Sequence, residues 1–183
     1  NNFKLKALKF KYENNNNLII AEGEAHAFDQ FGKEIFSDII IYDKSKSVIL
    51  TKRNSIYKDK RGNVITADNF YYDIELSKII AKKNVKYKDK LGNLIKFSNF
   101  EYLEKEEKGF GLNAIAELKD KSLVEGNIAE IDNHRGQLIL KNKKNKDNFF
   151  KEFLSIFKKN NNTYTPCEII EKSQKGIYEN CPD

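Results

Sequence analysis

The sequence predicts an all-β fold: an antiparallel two-sheet bent β-jelly roll built from 30-residue hairpin repeats. Three observations lead there. A turn motif recurs every 30 residues, apolar residues alternate on either side of it, and the phase of that alternation changes at the same point in each repeat.

The turn reads Asp29-Gln30-Phe31-Gly32, then Asp59-Lys60-Arg61-Gly62, then Asp89-Lys90-Leu91-Gly92. Asp binds its own backbone two residues on, and Gly takes the left-handed position that closes a hairpin. A second landmark, Tyr12, Tyr42, Tyr72 and Tyr102, keeps the same step, so the N-terminus is half a repeat. Between the landmarks run columns: Leu5, Ile35, Ile65, Ile95; Phe10, Ile40, Phe70, Phe100; Ile19, Ile49, Ile79; Ala21, Thr51, Ala81. The half repeat places Leu5, Ala7, Phe10 and Tyr12 on an edge strand, open to pairing with another β protein.

Ile79, Ala81, Val85 and Tyr87 keep one parity and share one face of a strand. The return strand does not: Ile65 and Ala67 are odd, Phe70 and Tyr72 even, which demands a bulge or bend near Asp68-Asn69. The same switch falls at Asp38-Ile39 and Ser98-Asn99. A sheet bent at one place in every strand folds over itself into two facing layers. Between them lie Ile65, Ala67, Phe70, Tyr72, Val85 and Tyr87, joined by Ile95, Phe97, Phe100 and Tyr102. These form either a closed core or an apolar groove, which would accept acyl chains at roughly 0.8 kcal/mol per buried methylene.

After Tyr102 the pattern loosens. Segments 109–112, 126–131 and 134–140 read as further strands, completing a roll over residues 1–145. Residues 146–159 change period: Phe149, Phe150, Phe153, Leu154 and Phe157 share one helical face, which either closes the roll or contacts a membrane or partner. Residues 160–163 are a loop, and both cysteines, Cys167 and Cys181, follow it. Two cysteines without nearby His or further Cys make no metal site. In an oxidising compartment they pair with each other or with another region; otherwise they are free thiols.

Of 183 residues, 39% are hydrophobic and 33% charged, suiting a globular chain with a modest interior. No stretch approaches the roughly 18 apolar residues of a spanning helix. The net charge of +6 comes almost wholly from Lys, in a chain also rich in Asn and Ile, as an AT-rich genome yields; it still permits an anionic ligand. A nucleic-acid partner is not expected, because the aromatics belong to the repeat columns and not to one exposed stacking platform. Nor is an enzyme: His26 and His134 are isolated, no paired carboxylates or nucleophile motif stand out, and Asp29, Asp59 and Asp89 are turn residues. Catalytic residues, metal ligands and cofactors are all expected to be absent.

The hairpin turn followed by Val64-Ile65-Thr66-Ala67-Asp68 and then Tyr72-Asp73 resembles the OstA-type domain of the lipopolysaccharide (LPS) transport proteins. Thr163-Tyr164-Thr165-Pro166-Cys167 resembles the segment that ends the N-terminal periplasmic domain of the LptD family, just before its β-barrel. That resemblance implies a domain at the periplasmic face of the outer membrane of a Gram-negative bacterium, passing LPS from a periplasmic bridge to the barrel. Acyl chains would lie between the sheets, with charged sugars and phosphates outside. It further implies edge-strand docking on an LptA-type bridge, residues 160–183 as a linker toward a barrel, a disulfide through Cys167 or Cys181, and an LptE-type lipoprotein partner for that barrel. The alternative is a soluble LptA-type bridging protein of the same fold.

Overall fold

The structure is a computed structural model that describes residues 3–13 and 17–142. Every regular element among them is a strand: β1 (Lys4–Lys6), β2 (Lys9–Glu13), β3 (Leu18–Phe28), β4 (Glu34–Asp43), β5 (Val48–Lys52), β6 (Ser55–Lys58), β7 (Val64–Ala67), β8 (Asn69–Asp73), β9 (Lys78–Lys88), β10 (Leu94–Leu103), β11 (Lys108–Glu117), β12 (Leu123–Asp132) and β13 (Gln137–Lys141). All pairings are antiparallel and join one continuous sheet. The helix expected over 146–159 and both cysteines lie outside the described residues.

The turn chemistry is as expected. Asp29, Asp59 and Asp89 each accept the amides two and four residues on, at 2.8–3.0 Å. Gly32, Gly62 and Gly92 hold φ of 83°, 90° and 94°, a region that costs an L side chain strain. At the other ends of the strands, Asp43 caps its turn through the Ser45 amide, and Ser47, Ser77 and Glu107 take left-handed φ at 30-residue spacing.

The bend divides the sheet into two layers. In the first, β2 pairs residues 18–22 of β3, and the pairing continues through the C-terminal half of β4, then β5, β8 and the N-terminal half of β9. In the second, β1 pairs residues 26–28 of β3, and the pairing continues through the N-terminal half of β4, then β6, β7 and the C-terminal half of β9. Strands β10, β11 and β12 extend both layers, and β13 ends the first. The even residues Ile40, Phe70, Tyr72, Phe100 and Tyr102 and the odd residues Ile35, Ile65, Ala67, Ile95 and Phe97 join one buried cluster, which fixes both layers' inner faces.

The parity switch on the return strands is thus real, and the partner strands show how it is absorbed. Phe97 pairs Val85 while Asn99 pairs Lys82, so β9 carries one extra residue at Lys83-Asn84, both left-handed. Gly23-Glu24 and Arg53-Asn54 do the same 60 and 30 residues earlier. Asn tolerates this conformation, and its amide pins the neighbouring strand: Asn54 reaches Asp38 at 3.2 Å, Asn84 reaches Asp68 at 3.1 Å, and Asn113 reaches Ser98 at 3.1 Å. Buried hydroxyls line the same bend, where Thr51 accepts the Phe70 amide at 2.7 Å and meets Ser55 at 2.6 Å.

The loosening after Tyr102 has a steric cause. β11 keeps the repeat but puts Gly109 and Gly111 where earlier repeats have Ile and Ala or Thr, because the Phe100 and Phe97 rings lie over them. A Cβ at Gly111 would meet the Phe97 ring at 2.2 Å. Gly111→Ala should therefore cost about 1–3 kcal/mol, and Gly111→Ala/Phe97→Leu should recover part of it, read from urea midpoints.

Candidate functional site

The structure brings together all ten residues expected between the layers. Ile65, Ala67, Val85, Tyr87, Ile95 and Phe97 come from the second layer; Phe70, Tyr72, Phe100 and Tyr102 come from the first. Each is buried, and they touch one another. Phe97 stacks on Phe100 at 4.7 Å, and Tyr87 lies 5.4 Å from Phe100. Tyr57 belongs to the same interior and was missing from that set, although its phase matches Tyr87 one repeat later.

The tyrosine ladder fades toward the N-terminus: Tyr72 and Tyr102 are buried, Tyr42 is half-buried and Tyr12 is exposed. Among the expected edge residues, Leu5 and Ala7 are half-buried, whereas Phe10 and Tyr12 are exposed, with Leu8 beside them. Among the described residues β1 and β2 pair only β3, and β13 pairs only β12, so an edge stands at either end of the sheet.

Because the long strands β3, β4, β9, β10, β11 and β12 cross the bend, the turns of the two layers become two lips along a mouth. The lips are tied. Lys33, from the second layer's first turn, forms an ion pair with Glu104 of the first layer and donates to the Tyr72 hydroxyl at 3.0 Å. Tyr57 donates to Glu104 Oε1 at 2.5 Å, and Arg61 pairs Glu107 at 2.6 Å. Further along, Tyr87 donates to Asn133 Oδ1 at 2.9 Å, and the Asn133 amide donates to Tyr102 at 3.3 Å. Burial, reinforced by the Glu104 carboxylate, raises the Tyr57 and Tyr72 phenols far above their ordinary value. Burial also pushes Tyr102 up to about 12. These phenols remain protonated donors throughout the physiological range.

Beyond these ties the mouth holds a cleft of about 80 Å³ between the Asp89–Asn93 turn and Asn133–Leu138, floored by Tyr87, Ile95 and Ile131. Sites that enclose drug-sized ligands hold roughly 300–1,000 Å³. The cleft is therefore too small to enclose such a ligand as it stands. Among the described residues no group of three or more His, Cys, Asp or Glu is placed to hold a metal ion.

One buried carboxyl lies on the opposite face of the first layer. Glu101 aligns with Ile80 and Phe110 and has Lys78 at 3.6 Å. Burial outweighs that lysine and pushes its pKa up to about 7. The folded state therefore holds a proton that the unfolded chain releases near 4.5, and stability falls as pH rises through this window. The expected loss is about 3 kcal/mol. Thermal midpoints from pH 4 to 8 should show it, and Glu101→Gln should flatten the profile.

No family model matches the sequence, and no curated protein matches it. The fold does have a solved counterpart. It is similar to LptH, described as the LptA-homologous periplasmic component of the conserved LPS transport device from Pseudomonas aeruginosa, with a TM-score of 0.52 and 9% identity over 71% of this chain and 94% of that one. The chain thus has the LptA-like β-jelly-roll fold.

Proposed function

We propose that this chain is a periplasmic carrier of lipopolysaccharide, a bridging protein of the LptA type that holds acyl chains between its two layers. One observation carries the reading: an aliphatic and aromatic interior that runs beneath the mouth in a sheet that, among the described residues, is unclosed at both edges. The fold shared with LptH supports it. The interior is filled by its own side chains, so uptake requires the lips to part and the rings to move aside. Acyl burial at roughly 0.8 kcal/mol per methylene provides the driving force. The edges beside Phe10 and Tyr12 and along β13 suit strand-to-strand docking on neighbouring carriers.

The chain has no Trp, and four of its nine Tyr are fully buried in this interior. LPS titration is therefore expected to change tyrosine emission saturably, and the delipidated polysaccharide to leave it unchanged. An equal response to both would overturn acyl binding.

A second reading is favoured by Tyr164-Thr165-Pro166-Cys167: the N-terminal domain of an LptD-type protein at the outer membrane, with an LptE-type lipoprotein on its barrel and a disulfide through Cys167 or Cys181. A reading frame continuing for several hundred residues of alternating β sequence would select it.

A further inference from the structure

Where the turn at 59–63 meets residues 103–107, the two lips of the mouth carry opposite charge. On the second layer the turns present Lys60 and Arg61, Lys90, then Lys119 and Lys121, the last paired with Glu117, while the carboxylates of Asp59 and Asp89 are occupied by backbone amides and by Asn63 and Asn93, and that of Asp120 by Ser122. These turns are tied to one another. Asn63 accepts the Lys90 amide and Asn93 accepts the Lys119 amide, both at 3.2 Å, so the basic groups stand on a fixed rail. The first layer's turns carry Asp73 and Glu75, then Glu104, Glu106 and Glu107 with Lys105 among them, whereas Asp43 is offset by Lys44 and Lys46 and Asp132 by Arg135. Where the lips meet, cation faces carboxylate: Lys33 with Glu104, and Arg61 with Glu107.

We propose that the basic lip is a binding site for the phosphate groups of an acylated glycolipid head, and that the acidic lip occupies this site while the mouth is closed. The proposal rests on the acyl-carrying reading above and adds the head-group chemistry to it. An amphiphile whose chains enter the interior must leave its head at the mouth, because a charged group is not buried without a partner. Parting the lips breaks the Arg61–Glu107 and Lys33–Glu104 pairs, and a phosphate restores to each cation the anion it has lost. Arg61 is suited to this exchange, since its planar guanidinium offers two parallel donors to phosphate as well as to carboxylate. The carboxylates then act as competitors that reject ligands lacking negative charge, so selectivity comes from the occupied site as much as from the incoming head group.

The test is equilibrium binding of the full chain to lipid A carrying its phosphates and to the same lipid A after their enzymatic removal, at low and high salt. Wild type is expected to prefer the phosphorylated lipid by about tenfold at low salt, with the preference shrinking as salt screens it. Arg61→Gln should lose most of that preference and, with the Arg61–Glu107 tie gone, should bind the dephosphorylated lipid at least as tightly as wild type does. Glu107→Gln should bind the phosphorylated lipid several-fold tighter. Both positions lie at the rim, and matched thermal midpoints would establish that the variants fold. Equal binding of both lipids by wild type, or a preference that survives Arg61→Gln, overturns the head-group site and leaves acyl binding standing. Binding of neither lipid overturns both readings. Direct binding of inorganic phosphate as tight as that of the phosphorylated lipid would show a free-phosphate site and overturn the assignment to a lipid head; binding far weaker than the lipid's supports that assignment.

Discussion

Glu104→Ala is expected to lower stability by about 3–5 kcal/mol, the scale on which removing one partner of a buried ion pair strands the other. Glu104 is 8% exposed and accepts from Lys33, Tyr57 and Tyr72 at once, and the Lys33 side chain it leaves behind is 17% exposed. Glu104→Gln keeps an acceptor for Tyr57 and should lose less. Lys33→Met/Glu104→Leu should recover part of the deficit, because an apolar pair leaves no charge without a partner although the Tyr57 and Tyr72 hydroxyls still lose their acceptor. Urea unfolding measures all three, and a Glu104→Ala variant within about 1 kcal/mol of wild type would show that the tie carries no weight. The same substitution releases one lip, so its affinity for LPS should rise although its stability falls.

Phe100→Ala is the second large effect, at about 3–5 kcal/mol. The ring is 2% exposed, lies against Phe97, Tyr87 and Tyr102, and covers Gly109, so nothing nearby can collapse into the space without moving the sheet. A void that persists should bind a small apolar probe such as benzene, raising the variant's thermal midpoint and leaving wild type unchanged. Phe10→Ala, on the exposed edge at the earlier position of the same column, should change stability by less than about 0.5 kcal/mol. The contrast between equivalent repeat positions separates burial from side-chain identity.

The repeat was legible because turn chemistry is local: Asp29, Asp59 and Asp89 need only their own backbone, and Gly32, Gly62 and Gly92 need only φ. Parity revealed the bend for a related reason, since alternation is a property of a single strand. The extra residue that accommodates the switch sits on the neighbouring strand, at Gly23-Glu24, Arg53-Asn54 and Lys83-Asn84, and is defined only by pairing. Asn54 and Asn84 do repeat at 30 residues, so a signal was present, hidden in a chain full of Asn. Glycines 109 and 111 read as weakened pattern because the Phe97 and Phe100 rings that exclude a side chain belong to the adjacent strand. The ties across the mouth were the least legible. Lys33 and Glu104 are 71 residues apart, and only folding the sheet over brings them together.

Photocrosslinking in cells tests the lipid-bearing interior most directly. A photoreactive phenylalanine analogue at Phe70 or Phe100 points between the layers, whereas the same residue at Lys86, paired with Thr66 and Lys96 on the outer face, points to solvent. LPS adducts are expected from positions 70 and 100 and not from 86. Adducts from 86 with none from 70 and 100 would mean that the layers enclose a core and nothing else.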